Sequence, residues 1–181
     1  GALGWELHFP IEYAHHLFDA LFAAGEEFRI GMAGMRAMES LRLEKSYRMW
    51  GSDMTPDYTP FEACLDRFVR MDKGAFIGRE ALEKQLAAGV PNRFVTLEIH
   101  GVTDADPLGN EPLFDGQGTM VGRATSGHYG HVLKKSLAIG YVKSPYAAIG
   151  TKLQIEILGE KKAATVLVDS PYDPENRDLK A

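Results

Sequence analysis

The segment Arg93-Phe94-Val95-Thr96-Leu97-Glu98-Ile99 sets the architecture of the second half of this chain. Its apolar side chains recur at every second position, which is the period of a β-strand with one face towards a core. Lys152–Ile157 repeats the same alternation further along the chain. Both segments therefore predict strands of one sheet structure.

Four more strand-like segments lie between or after these two, and we find no helical pattern beyond Arg93. Asp115–Gly118 has the composition of a hairpin turn. The four segments are Pro112–Phe114, Met120–Ala124, Leu137–Val142 and Ala163–Val168. Six short strands within about ninety residues favour a small barrel or a sandwich. We place a boundary at Val90–Asn92, which divides the chain into domains 1–90 and 91–181.

The first half of the chain mixes strand and helix patterns. Trp5, Leu7 and Phe9 alternate with polar residues, as in a half-buried strand. Pro10 then opens a helix that ends at Gly25. Further predicted elements are a short strand Phe28–Ile30, a helix at about Ala33–Glu44, a short helix from the capping box Thr59–Glu62 that carries Cys64, and a helix Gly78–Ala88. The predicted fold class is α+β, with an α/β segment followed by a small barrel or a sandwich.

The composition is that of an ordinary globular protein, with 45% hydrophobic and 25% charged residues. A net charge of −5 without clustered Lys and Arg excludes a nucleic-acid interface. Charged and polar residues interrupt Ile11–Ala24, the longest apolar stretch, so it cannot span a membrane. Cys64 is the only cysteine, which fits a reducing compartment. It is better interpreted as a small core residue than as a nucleophile.

Several motifs that carry chemistry in other proteins are incomplete here. Gly31–Gly34 and Gly116–Gly118 lack the spacing of a dinucleotide-binding fingerprint. His128 and His131 lie in a predicted loop, but no third metal ligand is near them in sequence, so we expect no metal site. Thr125–Gly127 lacks one glycine of a serine nucleophile elbow. These patterns do not support nucleotide binding, metal catalysis or serine hydrolysis.

Three charged residues, Glu6, Arg42 and Glu44, remain unexplained. Glu6 lies beside Trp5 in an otherwise apolar run, where an isolated carboxylate would be costly to bury. One interpretation is a partly buried ion pair that joins the first strand to the second helix. The other is a charged group that binds a ligand. Residue types alone favour the ion pair.

Four ordered blocks resemble the aminomethyltransferase, or glycine cleavage T-protein, superfamily. The blocks are Gly1–Leu7, Ser40–Met54, Phe76–Leu82 and Thr125–Gly130. The resemblance covers essentially the whole chain and is nearest to the tetrahydrofolate-binding C-terminal half of dimethylglycine and sarcosine dehydrogenases. Ala2 replaces the first Glu of the family's usual Gly-Glu-x-Gly-Tyr/Trp-Glu block, whereas Glu6 keeps the second.

The resemblance implies an α+β fold, in which an α/β segment of a folate-binding T-protein-like module is followed by a small C-terminal β-barrel domain. It also implies a folate-binding role for Glu6, Arg42 and Trp50. A carboxylate can accept two parallel N–H groups from the pterin edge, which is the role implied for Glu6. Arg42 matches an arginine that lines the same cavity, either as a ligand contact or as a brace for Glu6. Trp50 would pack along the folate or form a wall of the cavity. The family's catalytic Asp lies upstream of Gly1, so we assign no catalytic residue here and expect the fragment alone to be inactive.

The implied reaction begins in a missing flavin domain that carries FAD and oxidises a small N-methyl amine to an iminium. Tetrahydrofolate captures this carbon as 5,10-methylenetetrahydrofolate, and confinement protects the iminium from water. Two alternatives are a stand-alone aminomethyltransferase and a non-catalytic folate-binding accessory protein. No nucleic-acid or membrane partner is implied. The expected location is cytoplasmic in a bacterium and the mitochondrial matrix in a eukaryote.

Overall fold

A computed structural model describes residues 4–101 and 105–180, so Gly1–Leu3 of the first sequence block lie outside the described residues. The α-helices are α1 (Ala14–Gly25), α2 (Met35–Glu44), α3 (Arg79–Ala88) and α4 (Arg177–Lys180). The strands are β1 (Asn92–Ile99), β2 (Pro112–Phe114), β3 (Met120–Gly130), β4 (Lys135–Lys143), β5 (Lys152–Ile157) and β6 (Glu160–Leu167). Short 3-10 turns occur at Ile11–Tyr13, Glu26–Phe28, Asp66–Phe68 and Ser144–Tyr146.

The six strands form a closed barrel in the order β1-β4-β3-β2-β5-β6, and all neighbouring strands are antiparallel. The prediction of a barrel is therefore confirmed, and the sandwich alternative is wrong. β3 is longer than predicted, because it pairs with β4 beyond a bulge between Ala124 and Ser126. Consequently His128 lies in a strand and not in the loop expected from the sequence.

The barrel interior holds the apolar side chains that the alternation of β1 predicted. Val95, Leu97 and Ile99 belong to one buried cluster with the inward residues of the other strands. The opposite face of β1 is also buried, because Phe94 packs in a second cluster with Leu43 at the end of α2. Residues 43–65 thus cover the outside of β1 and β4, and they bring α2 against the barrel.

The segment before α1 differs from the prediction. Residues 4–10 have no regular secondary structure, and Trp5 is 85% exposed. A strand needs a hydrogen-bonding neighbour, and in residues 4–101 and 105–180 no strand pairs with this segment. The strand predicted at Phe28–Ile30 is also wrong, since Glu26–Phe28 forms a 3-10 turn that Arg29 ends with a left-handed φ of 57°.

Helix α1 forms close to where it was predicted, but it buries no residue. Phe18 and Phe22 stack at 4.4 Å between ring centroids, and Phe18 is still 47% exposed. Within the described parts of the chain, no helix is long and apolar enough to cross a bilayer. The apolar stripe of α1 is a feature of an amphipathic surface helix.

The capping box at Thr59–Glu62 forms, but the helix that it predicted does not extend. The Thr59 N–H donates to Glu62 Oε2 at 3.0 Å, and the Glu62 N–H donates to Thr59 Oγ1 at 3.2 Å. The turn ends at Cys64, whose φ of 54° is left-handed. A single capped turn therefore leads the chain from α2 towards the barrel.

Replacing Glu62 by glutamine should lower the free energy of unfolding at neutral pH by about 1 to 2 kcal/mol. The carboxylate is buried and also accepts from Asn92 Nδ2 at 2.8 Å. Burial opposes its ionisation, but hydrogen bonds from Thr59, Asn92 and Gln85 outweigh burial and lower the pKa of Glu62. A lowered pKa gives stabilisation that is present above the ordinary glutamate value and is lost as the pH falls through the folded value.

Denaturant unfolding at neutral and acidic pH would test this. The difference between the wild type and Glu62→Gln should shrink in acid, while Glu80→Gln at an exposed site on α3 should change stability little at either pH. A difference for Glu62→Gln that grows as the pH falls would contradict the role given to its carboxylate.

Candidate functional site

Glu6, the first predicted site residue, lies on the exposed segment before α1. Its side chain is 91% exposed, and its ion pair is with His8 at 3.7 Å between Oε2 and Nε2. The carboxylate does not pair with Arg42, whose ion pairs are with other residues. The hypothesis of an ion pair between the first strand and the second helix is therefore wrong. Both oxygens of Glu6 are open to a ligand.

Arg42, the second predicted site residue, lies in the last turn of α2 and is 10% exposed at its side chain. Each guanidinium nitrogen has a protein partner. Nε donates to Glu39, Nη1 donates to the Tyr47 carbonyl and to Asp53, and Nη2 donates to Ser126 Oγ. A ligand that bound this guanidinium directly would have to displace one of these acceptors. Arg42 therefore pairs with Asp53 and not with Glu6.

Asp53 is the centre of this polar cluster and is fully buried. Its Oδ2 accepts from Arg42 Nη1 at 2.7 Å and from the Met49 N–H at 2.9 Å. Its Oδ1 accepts from Thr125 Oγ1 at 2.5 Å and from Ser126 Oγ at 2.7 Å. A buried carboxylate is tolerated when a cation and hydrogen-bond donors compensate it, and four donors do so here.

Trp50, the third predicted site residue, lies at the tip of the loop that Asp53 closes. The Asp53 N–H donates back to the Met49 carbonyl at 2.9 Å, and the Gly51 N–H donates to Met54 at 2.8 Å. The indole itself is 72% exposed. The loop therefore has a fixed, buried base and presents a large aromatic surface to solvent.

The indole borders a small groove between the loop and the barrel. Tyr58 and Tyr141 form its wall and stack face to face, with ring centroids 3.6 Å apart. Burial first, and then the neighbouring Tyr58 phenol, raise the pKa of Tyr141, so this hydroxyl remains a donor to the Asp53 carbonyl at 2.8 Å. The groove is lined by Trp50, Met54, Thr55, Tyr58, Thr59, Pro60, Ala63, Leu65 and Tyr141. An aromatic slot of this kind can hold a flat ring.

A second buried carboxylate, Glu44, supports the other end of β3. Its Oε1 accepts from the Val132 and Leu133 N–H groups at 2.8 and 2.9 Å. It contacts the β3–β4 hairpin and none of the hydrogen-bonded groups around Asp53. Glu44 is thus a structural anchor of the hairpin.

Cys64 packs against the second core cluster, as predicted. Burial raises the pKa of its thiol, and Sγ lies 3.4 Å from the Phe94 carbonyl. A raised pKa reduces the thiolate fraction, so the residue has the properties of a core side chain. Among the described residues, no group of three or more His, Cys, Asp or Glu side chains could hold a metal ion.

Through Asp53, the structure connects Arg42 to the loop that carries Trp50, and it leaves Glu6 on a separate, exposed segment. Sequence reasoning gave no role to Asp53, Thr125 or Ser126. A signal was present, because Asp53 follows Trp50 in one block of the resemblance and the two hydroxyl residues open another. Their mutual contact, 72 and 73 positions apart, is visible only in the tertiary structure.

Two family models match the chain. The GCVT N-terminal domain matches residues 1–73, and the glycine cleavage T-protein C-terminal barrel domain matches residues 92–173. The solved structure of glycine cleavage system aminomethyltransferase T from Bartonella henselae superposes with a TM-score of 0.80 at 31% identity. That match covers 92% of this chain and 45% of the solved chain.

Curated relatives fall into two groups. Mitochondrial dimethylglycine dehydrogenase of Mus musculus is 40% identical over 92% of this chain, and mitochondrial sarcosine dehydrogenase of the same species is 35% identical over 99%. The aminomethyltransferase of Caldanaerobacter subterraneus is 34% identical over 97% of this chain. The chain spans 19% and 20% of the two dehydrogenases and 46% of the aminomethyltransferase.

Proposed function

The chain belongs to the glycine cleavage T-protein family of aminomethyltransferases, and we propose that it forms the tetrahydrofolate-binding part of an enzyme of the dimethylglycine and sarcosine dehydrogenase type. The identity of 40% to dimethylglycine dehydrogenase, against 34% to the aminomethyltransferase, supports this branch. The observation that carries the proposal is the link from Arg42 through Asp53 to the loop of Trp50, whose indole borders an aromatic groove. Tetrahydrofolate would accept the one-carbon unit of an N-methyl amine, giving 5,10-methylenetetrahydrofolate.

The chemistry of the residues present fits a reduced folate. A pterin ring is flat and carries a row of N–H donors along one edge. Trp50 and Tyr58 provide aromatic surface for stacking, and the exposed carboxylate of Glu6 can accept two N–H groups at once. We propose that Arg42 serves the site by fixing the loop of Trp50, because its own nitrogens are already directed at protein acceptors.

FAD would be held by a separate part of such an enzyme. This chain contains no glycine-rich dinucleotide fingerprint, and none of its residues is assigned to the flavin. The flavin would supply the oxidation of the N-methyl amine. The part played by this chain is to hold folate and to keep water from the reacting carbon.

Replacing Glu6 by glutamine should weaken tetrahydrofolate binding by about 1 to 3 kcal/mol. The substitution turns one acceptor oxygen into a donor, which would face a pterin N–H. Calorimetric titration of tetrahydrofolate into the full-length protein that contains this chain would measure the change in affinity. Glu12→Gln, at an exposed glutamate in the neighbouring 3-10 turn, is the matched control and should bind as the wild type does. Unchanged affinity in Glu6→Gln would remove Glu6 from the site.

A stand-alone aminomethyltransferase is the second candidate function. It is favoured by the close superposition on the Bartonella henselae enzyme. This chain covers 45% of the length of that enzyme. The length of the encoded protein separates the two candidates. A protein as long as the curated dehydrogenases supports the flavoenzyme, and one as long as the curated aminomethyltransferases supports the second candidate. A folate-binding protein without transfer activity would bind tetrahydrofolate but form no methylene product.

A further inference from the structure

The loop Met49–Met54 is held at its base by one side chain. Asp53 accepts from the Met49 N–H at 2.9 Å, and its own N–H donates to the Met49 carbonyl at the same distance. Trp50 and Met54 form an isolated bridge within the loop. The ends of the loop therefore meet at a carboxylate that no solvent reaches.

The same carboxylate ties the loop to two other elements. Oδ2 binds Arg42 on α2, and Oδ1 binds Thr125 and Ser126 on β3. Ser126 in turn accepts from Arg42 at 2.9 Å, so these three side chains close a ring of hydrogen bonds. Interactions with an ionised partner are roughly twice as strong as neutral ones, and a closed ring restricts the orientation of each member.

We propose that Asp53 is a positioning residue that fixes Trp50 at the edge of the aromatic groove. This inference rests on the proposed function for its ligand, tetrahydrofolate. Asp53 is too buried to touch a ligand itself. It acts by holding the backbone on both sides of the indole, so that the ring faces the groove before a ligand arrives. A preorganised wall binds more tightly than one that must be ordered on binding.

The chemistry requires a carboxylate at this position. All four contacts of the Asp53 side chain are made by donors: a guanidinium, a backbone N–H and two hydroxyls. An asparagine would place an NH₂ group against one pair of these donors. The hydroxyl of Thr125 can be removed with less disturbance of the packing than the carboxylate of Asp53, since valine has nearly the same shape as threonine. Thr125→Val removes one of the four donors to the Asp53 carboxylate and so tests the role of Asp53 even where Asp53→Asn fails to fold.

The test measures the order of the indole and the affinity for tetrahydrofolate in the same proteins. The protein encoded by the gene is labelled with 5-fluorotryptophan, and the Trp50 resonance is assigned by its absence in Trp50→Phe. In Asp53→Asn and Thr125→Val, we expect this resonance to sharpen towards that of a freely rotating indole. Tetrahydrofolate should bind at least about 10-fold more weakly. Thr125→Ser keeps the hydroxyl and should restore both properties.

Glu44→Gln is the matched control, because Glu44 is also a buried carboxylate with two N–H donors but anchors a different loop. It should leave the Trp50 resonance and the affinity unchanged, even where it lowers stability. A wild-type Trp50 resonance together with affinity within twofold in Thr125→Val would overturn the positioning role. If the wild type binds no tetrahydrofolate, the proposed function fails, and the Trp50 resonance of the unliganded proteins alone decides the role of Asp53.

Discussion

Replacing Arg42 by methionine should lower the free energy of unfolding by about 3 to 5 kcal/mol. Methionine keeps much of the length of the side chain but removes the cation beside Asp53, which has no exposure to solvent. An ionised carboxylate that loses its buried partner bears the full cost of its own desolvation. The hydroxyls of Thr125 and Ser126 would remain, but they cannot supply a balancing charge.

Urea unfolding of the two proteins at neutral pH measures this loss. Arg177→Met is the matched control, since Arg177 forms an ion pair with Glu175 in which both side chains are well exposed. Exposed pairs contribute little, so the control should lose less than about 1 kcal/mol. Equal losses in the two variants would show that the pairing of Arg42 with Asp53 does not stabilise the fold. The Trp50 loop should also lose its fixed position in Arg42→Met, because the ring of hydrogen bonds is broken.

Replacing Gly140 by alanine should destabilise the barrel by about 3 kcal/mol, the upper end of the usual cost of overpacking. A Cβ at this position would lie 2.2 Å from the Arg123 carbonyl oxygen and 2.7 Å from Ala124 Cα. These are backbone atoms of the neighbouring strand, so they cannot move aside as a flexible side chain would. Gly122 faces the same restriction from β4, where a Cβ would lie 2.1 Å from the Tyr141 carbonyl oxygen. β3 and β4 thus approach closely where both carry glycine.

Thermal unfolding followed by circular dichroism would measure the effect of Gly140→Ala. Gly116→Ala is the control, since a Cβ there has no neighbour within 4 Å. We expect the control to unfold close to the wild-type temperature. If Gly140→Ala is as stable as the control, β3 and β4 can move apart at this point without loss of stability. That result would contradict the close pairing of Gly140 with Ala124.

Much of the fold follows from local pattern. The alternation in β1 and β5 and the hairpin turn at Asp115–Gly118 predicted six strands in a barrel or a sandwich, and the structure shows the barrel. Helix α3 begins and ends between Gly78 and Gly89, close to its predicted bounds. These strand and helix predictions were correct because the side-chain periods of 2 and 3.6 are local properties of a strand and a helix.

The errors have physical causes that a local pattern does not contain. The strand predicted at Trp5–Phe9 needs a neighbouring strand to pair with. Within residues 4–101 and 105–180, no strand pairs with this segment. The helix predicted after Thr59 stops because Cys64 adopts a left-handed φ. The alternation in β1 also does not show that the outer face of this strand is buried, where Phe94 packs against the segment that follows α2.

Local sequence indicated the six strands, helices α1 to α3 and the family, because periodicity and ordered motifs are properties of neighbouring residues. It also pointed to Arg42 and Trp50 as candidate site residues. What connects Arg42 to the loop of Trp50 is visible only in the tertiary structure. The partner of Arg42 is Asp53, and the ring closes through Ser126, which is 84 positions from Arg42. Such contacts depend on which surfaces of α2, the loop and β3 meet, and that meeting is set by packing and register over the whole molecule.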